Sequence, residues 1–347
     1  MKSNVFFILL IFLLVGCNGN KNIQEKGLPI SHNSVTLNND YLGKPGPIIY
    51  VDNKIVGIDY RLDSCFFCIN TQNDSLYRFG TRGQGPNEFI YPYTLQHLND
   101  TSFAAFDLNA KKFCLFTLKN NEVTITKQYS VINAKSLLSF DFKKISNNSY
   151  LGFGPYPQEM FIIIDTLGKV KQSFFEFPYK DKNEKKIKND LRAMAYQGLV
   201  NFNISNNKLL YAPTFGDIIH VYQIDQDDMR IVYKQENSYP VYKTEENADS
   251  YSAPLGVSNV GGYISSSTTS KYFYLLYSGT TLKDLIKTKS EFSGNTVIVY
   301  NWAGEKVKTF SLDIACKNIC VTPDDKLLYA IAENPEPELV YFNLPNL

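Results

Sequence analysis

Val297-Ile298-Val299-Tyr300-Asn301-Trp302-Ala303-Gly304-Glu305-Lys306-Val307-Lys308-Thr309-Phe310 reads as an apolar strand, a tight turn and a second strand. The β-branched and aromatic residues favour extended backbone, and Ala303-Gly304 suits the left-handed geometry of a short hairpin. Four other segments share this pattern. They begin at Phe66-Phe67-Cys68-Ile69-Asn70, Phe113-Cys114-Leu115-Phe116, Phe161-Ile162-Ile163-Ile164-Asp165 and Ile219-His220-Val221-Tyr222. Their turns are placed at Asn73-Asp74, Asn120-Asn121, Leu167-Gly168 and Asp227-Asp228. A sixth segment, Leu339-Val340-Tyr341-Phe342-Asn343, starts the pattern and meets the C-terminus.

An apolar strand precedes each hairpin: Ile55 to Asp59, Ser102 to Phe106, Tyr150 to Phe153, Leu209 to Ala212, Tyr272 to Leu276 and Leu327 to Ile331. The hairpins start at residues 66, 113, 161, 219, 297 and 339, so the spacings are 47, 48, 58, 78 and 42. A period of roughly 40–50 residues is that of one four-stranded propeller blade. The expected fold is therefore all-β: a six-bladed β-propeller over residues 33–347 with one short helical insertion. Gly and Ala in the preceding strands are expected to lie where blades crowd the axis. The last unit lacks a fourth strand, and Ser34-Val35-Thr36-Leu37 stands alone near the N-terminus. That strand is expected to complete the last blade and close the ring. A pair of β-sandwiches also accommodates short strands, but gives no reason for a near-fixed period.

Two long spacings contain insertions. Between Lys180 and Leu199, Ile187, Leu191 and Met194 fall at helical spacing. Asn237 to Thr269 is the second insertion, and a short helix is expected around Leu282, Leu285 and Ile286. Long loops on a closed ring are the usual carriers of binding surfaces.

Residues 1–16 read as a signal peptide: Lys2, then an apolar run from Val5 to Val15. Gly16-Cys17 resembles a bacterial lipobox, making Cys17 the expected lipidation site and residues 17–32 a lipidated N-terminus and tether. Acyl chains then hold the protein to a bacterial membrane, expected to be the outer one. The 347 residues carry 35 Lys and Arg against 34 Asp and Glu, a balance that argues against nucleic-acid binding. A monomeric ring is expected.

Gly80-Thr81-Arg82-Gly83-Gln84-Gly85-Pro86-Asn87-Glu88-Phe89 is the most distinctive local string. It resembles the Gly-x-Gly-Pro-x-Glu-Phe signature of Bacteroidetes-type six-bladed propeller lipoproteins, a TolB-like or NHL-like family. Asn87 stands where family members commonly have Gly. The resemblance implies a cell-envelope binding role and no assigned catalytic residues. Gly83 and Gly85 permit a sharp turn that Pro86 stiffens. Arg82 and Glu88 are expected to close the loop as an ion pair, and Arg82, Gln84 and Glu88 are the candidate ligand- or partner-binding groups.

Chemistry-bearing patterns are sparse. Cys65-Phe66-Phe67-Cys68 has redox spacing but lies in a strand, where nothing lowers a thiol pKa. Cys316 and Cys320 are expected on one strand face, and the pairing of Cys65, Cys68, Cys114, Cys316 and Cys320 stays open. His32, His97 and His220 are scattered, so neither a metal site nor a cofactor is expected. No hydrolase motif is present. Asp59, Asp107 and Asp165 are expected at comparable places, satisfying turn backbone. Tyr91, Tyr93, Tyr156 and Tyr263 are candidate sugar-stacking residues. The leading functional expectation is a lipid-anchored binder of a partner protein or glycan through loops on one face, without assigned catalysis. The alternative is a propeller enzyme (lyase, lactonase or glycosidase) with an axial polar pocket, which several convergent carboxylates or a metal at the axis would favour.

Overall fold

A computed structural model describes residues 27–37, 40–119, 122–130, 139–247, 250–333 and 335–347. The signal stretch, Cys17 and the Asn120-Asn121 turn lie outside the described residues. The strands form six four-stranded antiparallel blades. Blade 1 comprises Pro45–Val51, Lys54–Asp59, Ser64–Asn70 and Leu76–Thr81. Blade 2 comprises Pro92–Asn99, Ser102–Asp107, Lys112–Lys119 and Glu122–Ser130. Asp141–Lys144, Ser149–Phe153, Phe161–Asp165 and Val170–Phe174 make blade 3. Gly198–Asn203, Lys208–Pro213, Asp217–Asp225 and Asp228–Ser238 make blade 4. Blade 5 uses Tyr263–Thr268, Tyr272–Tyr277, Gly294–Asn301 and the start of the long strand Lys306–Val321. That strand crosses to the axis, and its end opens blade 6, followed by Leu327–Glu333, Pro337–Asn343 and His32–Ser34.

The first strand of each blade is innermost and touches the first strands of both neighbouring blades. Successive side chains of a strand point to opposite faces, and here both faces are apolar. Phe66 and Cys68 enter the layer between blades 1 and 2, while Phe67 and Ile69 enter the layer between blades 6 and 1. Six apolar clusters result, one in each gap between blades.

The expected closure by the N-terminal strand is present. It sits slightly earlier than expected: His32, Asn33 and Ser34 pair with Phe342, Tyr341 and Val340. The Val35 amide continues the ladder by donating to the Leu339 carbonyl at 2.9 Å. Leu28–Ile30, within the stretch read as tether, pairs in parallel with Phe310 to Leu312. The His32 amide donates to Asp313 Oδ1 at 3.1 Å, and Ile30, Val35 and Leu37 pack against the apolar layers beside blade 6.

Several local expectations need correction. The small residues of the preceding strands do not line the axis, because these are the second strands. Gly57 instead makes room for Phe67: a Cβ there would lie 2.1 Å from the ring. The stretch 180–199 holds only a short 3₁₀ turn, Glu184–Lys186, and the seven-residue helix Asn189–Ala195, since Gly198 already begins blade 4. The short helix expected around Leu282, Leu285 and Ile286 is present as Leu282–Thr288, capped by Thr281. In the blade 4 hairpin the left-handed residue is Gln226, at φ 61°, so the turn lies one residue earlier than expected. Cys316 and Cys320 lie in different layers because a bulge between Cys316 and Asn318 inverts the alternation.

In an up-down-up-down blade, connections between second and third strands share one rim with connections between blades. Residues 82–91, 175–197, 239–247 and 250–262 and the Leu282–Thr288 helix therefore occupy one end of the ring, the loop face. Asp59 organises this rim in blade 1. It accepts amide hydrogen bonds from Gly43 (2.8 Å), Lys44 (3.0 Å), Arg61 (2.9 Å) and Leu62 (3.2 Å). Asp107 does the same in blade 2 for Ile90, Tyr91, Asn109 and Ala110. Asp165 differs in position: it ends a third strand at the opposite rim and serves Leu167 and Lys169.

Two outcomes are expected. Removing residues 27–37 takes away the closing strand and three half-buried apolar side chains, a loss of roughly 3 kcal/mol; denaturant unfolding of the truncated and intact chains measures it. Burial alone raises the Asp59 carboxyl, but its backbone donors outweigh this and hold it below the usual value. Its stabilisation is therefore present above the unfolded-state pKa and disappears as pH falls through the lower folded value. Asp59→Asn should cost about 2 kcal/mol at pH 7, and urea melts should show the gap from wild type narrowing below about pH 4.

Candidate functional site

Residues from the innermost strands of all six blades surround an axial cavity of about 450 Å³. They include Ile48, Tyr93, Asp141, Asn201, Ser266 and Asn318. Met194 and Gln197 of the first insertion, with Thr214 and Leu255, also line it, so the cavity reaches the loop face. A side arm of about 250 Å³ shares Tyr60, Thr214, Ile264 and Asn318 and extends toward Lys44, Glu291, Phe292 and Lys317.

The lining is polar for a structural reason. Inner strands of neighbouring blades lie side by side without a continuous backbone ladder between them. Side chains make several of the cross-links instead. Gln96 exchanges two hydrogen bonds with the Lys144 backbone, at 2.9 and 2.8 Å. Asn201 donates to Ser266 Oγ at 3.0 Å, and the Ile319 amide donates to Ser265 Oγ at 3.0 Å.

Asp141 and Lys143 stand two residues apart on the innermost strand of blade 3 and form an ion pair at 2.8 Å. Their side chains are only 8% and 3% exposed, which makes the pair part of the wall and not a solvated contact. Thr94 Oγ1 donates to Asp141 Oδ1 at 2.6 Å, as does the Phe142 amide at 2.7 Å. Burial pushes the Asp141 carboxyl above its ordinary range, with Lys143 the strongest opposing influence.

An aromatic ladder stands beside this pair. Tyr60 stacks on Tyr91 with centroids 5.4 Å apart, and Tyr91 on Tyr93 at 6.1 Å. Tyr60 and Tyr93 line the cavity, and Tyr91 and Tyr93 are both exposed toward the rim. Burial raises the Tyr60 and Tyr93 hydroxyl pKa values, so both remain donors at neutral pH.

The Gly-x-Gly-Pro loop supports this ladder from behind. Arg82 donates to the carbonyls of Asp59 (3.0 Å), Leu62 (3.2 Å) and Ile90 (3.2 Å). Glu88 Oε2 accepts from the Gly85 amide at 2.8 Å, and with the Arg82 guanidinium on backbone carbonyls the expected Arg82–Glu88 ion pair is not formed. A Cβ at Gly83 would fall 2.1 Å from Glu88 Oε2, so a side chain there would displace the carboxylate from the Gly85 amide. Phe89 is fully buried against Phe66 and Phe116. Gln84 is exposed on the loop face. The three motif residues share one loop, and Arg82 and Glu88 direct their polar groups into it.

The remaining sequence candidates lie elsewhere. Tyr156 is buried and bonds Ser139 at 2.7 Å; Tyr263 is buried and donates to Asp217 at 2.7 Å. Cys65, Cys68, Cys114, Cys316 and Cys320 are buried and unpaired. Burial raises the thiol of Cys65 to about 11 and those of Cys68, Cys114 and Cys316 to about 12. The axial pocket is polar, as the enzyme alternative expects, and among the described residues Asp141 is the one carboxylate that lines it, so the several convergent carboxylates that would favour that alternative are not found there. Nor do those residues hold a group of three or more His, Cys, Asp or Glu arranged for a metal.

Known proteins agree with this architecture. A family profile described as "TolB-like 6-blade propeller-like" matches residues 25–324. A Bacteroides vulgatus structure, a member of the DUF4221 family, is similar with a TM-score of 0.55 and 15% identity, covering 92% of this chain and 96% of that one. A Bacteroides fragilis structure, of a protein assigned as exported, has a TM-score of 0.54 and 10% identity, covering 92% of this chain and 95% of that one. No curated protein sequence matches. With the profile spanning most of its length and the six blades in place, the chain belongs to the TolB-like six-bladed propeller family.

Proposed function

We propose that this chain is an exported, lipid-anchored propeller that binds a glycan in its axial cavity from the loop face. The carrying observation is the continuity between the Tyr60–Tyr91–Tyr93 ladder and the polar cavity wall. Sugars present apolar C–H faces and polar hydroxyl edges. Aromatic rings match the former, and convergent amides, hydroxyls and charged groups match the latter. A cavity of about 450 Å³ falls within the range of small-ligand sites, about 300–1,000 Å³. Gln84 adds a polar contact at the outer rim, while Arg82 and Glu88 fix the loop that carries Tyr91 and Tyr93.

Export and anchoring rest on residues 1–16 and Cys17. The Bacteroides fragilis neighbour assigned as exported is consistent with this. Leu28–Ile30 runs parallel to Phe310–Leu312, and that strand heads toward the loop face. The N-terminal end of Leu28–Ile30 therefore points away from the cavity mouth.

A glycan array followed by calorimetry tests the binding reading. Tyr93→Ala should weaken the best glycan about tenfold, a loss of ~1.4 kcal/mol, without lowering the melting temperature. An unchanged affinity, or an array without hits beside a pull-down returning a protein partner, overturns it. Cys17→Ser should move the protein from the membrane fraction to the soluble fraction. Continued sedimentation with membranes would rule out the lipid anchor.

A further inference from the structure

We infer that the axial site selects an uncharged saccharide, read at adjacent hydroxyls by the Asp141–Lys143 pair. The inference rests on the glycan reading above and adds the ligand class and its specificity-determining residues.

The argument begins with hydrogen-bond capacity. A carboxylate offers about four acceptor positions and an ammonium three donors. Asp141 Oδ1 is filled by Thr94 and the Phe142 amide. Asp141 Oδ2 accepts from Lys143 and keeps one position. Lys143 donates to Asp141 and, at 3.5 Å, weakly to the Leu95 carbonyl, leaving one donor. The cavity wall therefore presents one acceptor beside one donor, and both are charge-assisted. Two neighbouring hydroxyls, one donating and one accepting, complete this set.

Charge bookkeeping then excludes ionic ligands. Among the described residues, Asp141 and Lys143 are the only charged ones lining the axial cavity, and they neutralise each other. In the side arm, Glu291 pairs with Lys44 at 2.7 Å and with Lys317 at 3.2 Å, and Lys317 also pairs with Glu333. Two cations thus meet two carboxylates. A uronate or a free amino sugar bound here would lose its hydration without meeting an unpaired opposite charge, which is costly. A neutral sugar meets no such penalty. Tyr60 and Tyr93 supply the stacking surface beside the pair, and Asn201, Ser266 and Asn318 supply further hydroxyl partners across the cavity.

The test uses the detergent-solubilised full chain and three probe sets of matched size: neutral oligosaccharides, uronic-acid oligosaccharides and oligosaccharides with free amines. Neutral probes should bind at least tenfold tighter than either charged set. Equal or tighter binding of a charged set overturns the inference and leaves the glycan reading intact. Absence of binding in all three sets overturns both. Single substitutions strand a buried charge, so the variant is the double Asp141→Leu/Lys143→Met, because apolar replacement of a whole buried pair is often tolerated. It should bind neutral probes at least tenfold more weakly at an unchanged melting temperature. Unchanged affinity removes the pair from recognition. If the double variant fails to fold, the preference among the three probe sets on the wild-type chain decides the matter.

Discussion

Blade strands that are apolar on both faces dictate this structure. A sheet with one apolar face is satisfied by a single partner. Here Phe66 and Cys68 face one layer and Phe67 and Ile69 the other, so blade 1 needs neighbours on both sides. The same holds for Ile162 and Ile163 in blade 3 and for Leu275 and Leu276 in blade 5. A linear stack would leave two apolar faces in water. Closure removes them, and it explains why the N-terminal strand is spent on blade 6. His32–Ser34 joins the two ends of the chain in one sheet, and Leu28–Ile30 extends the join to blade 5.

Closure also creates the site. Inner strands from six directions converge on an axis, and side chains pointing there meet neither a dense apolar layer nor open solvent. This is why the hairpins were legible in the sequence and the inner strands were not. Phe161-Ile162-Ile163-Ile164 announces a strand buried on both faces. Asp141-Phe142-Lys143-Lys144 resembles a loop, although Asp141 and Lys143 face the cavity on a regular strand. Tyr263–Thr268, with three consecutive serines, was hidden inside an apparent insertion for the same reason. The crossing strand Lys306–Val321 concealed the start of blade 6, because nothing in its composition marks where the hydrogen-bonding partner changes.

The distinctive Gly-x-Gly-Pro string illustrates a second limit on reading sequence. Its conformational demands were visible, but the targets of its polar side chains were not. Arg82 reaches three carbonyls, two in the Asp59–Leu62 turn and one at Ile90, and Glu88 folds back onto Gly85. The loop acts on the site indirectly. Phe89 anchors it in the layer between blades 1 and 2, Asp107 fixes the amides of Ile90 and Tyr91, and the chain emerges with Tyr91 and Tyr93 oriented for stacking. Tyr60 comes from the neighbouring turn held by Asp59, so a ladder assembled from distant positions depends on two strand-terminal carboxylates.

The paired charges fit this picture energetically. Burying Asp141 and Lys143 costs solvation that their mutual attraction does not dependably recover, so an apolar pair would serve stability as well or better. The position of the pair in a polar cavity, with one donor and one acceptor unfilled, gives it a use that an apolar wall lacks. Thr94 and the Phe142 amide hold the carboxylate from behind and prevent it from turning away. The pair is therefore oriented before any ligand arrives. Pre-orientation lowers the entropic cost of binding, and internal neutrality suits the pair to uncharged hydroxyls without drawing in free ions.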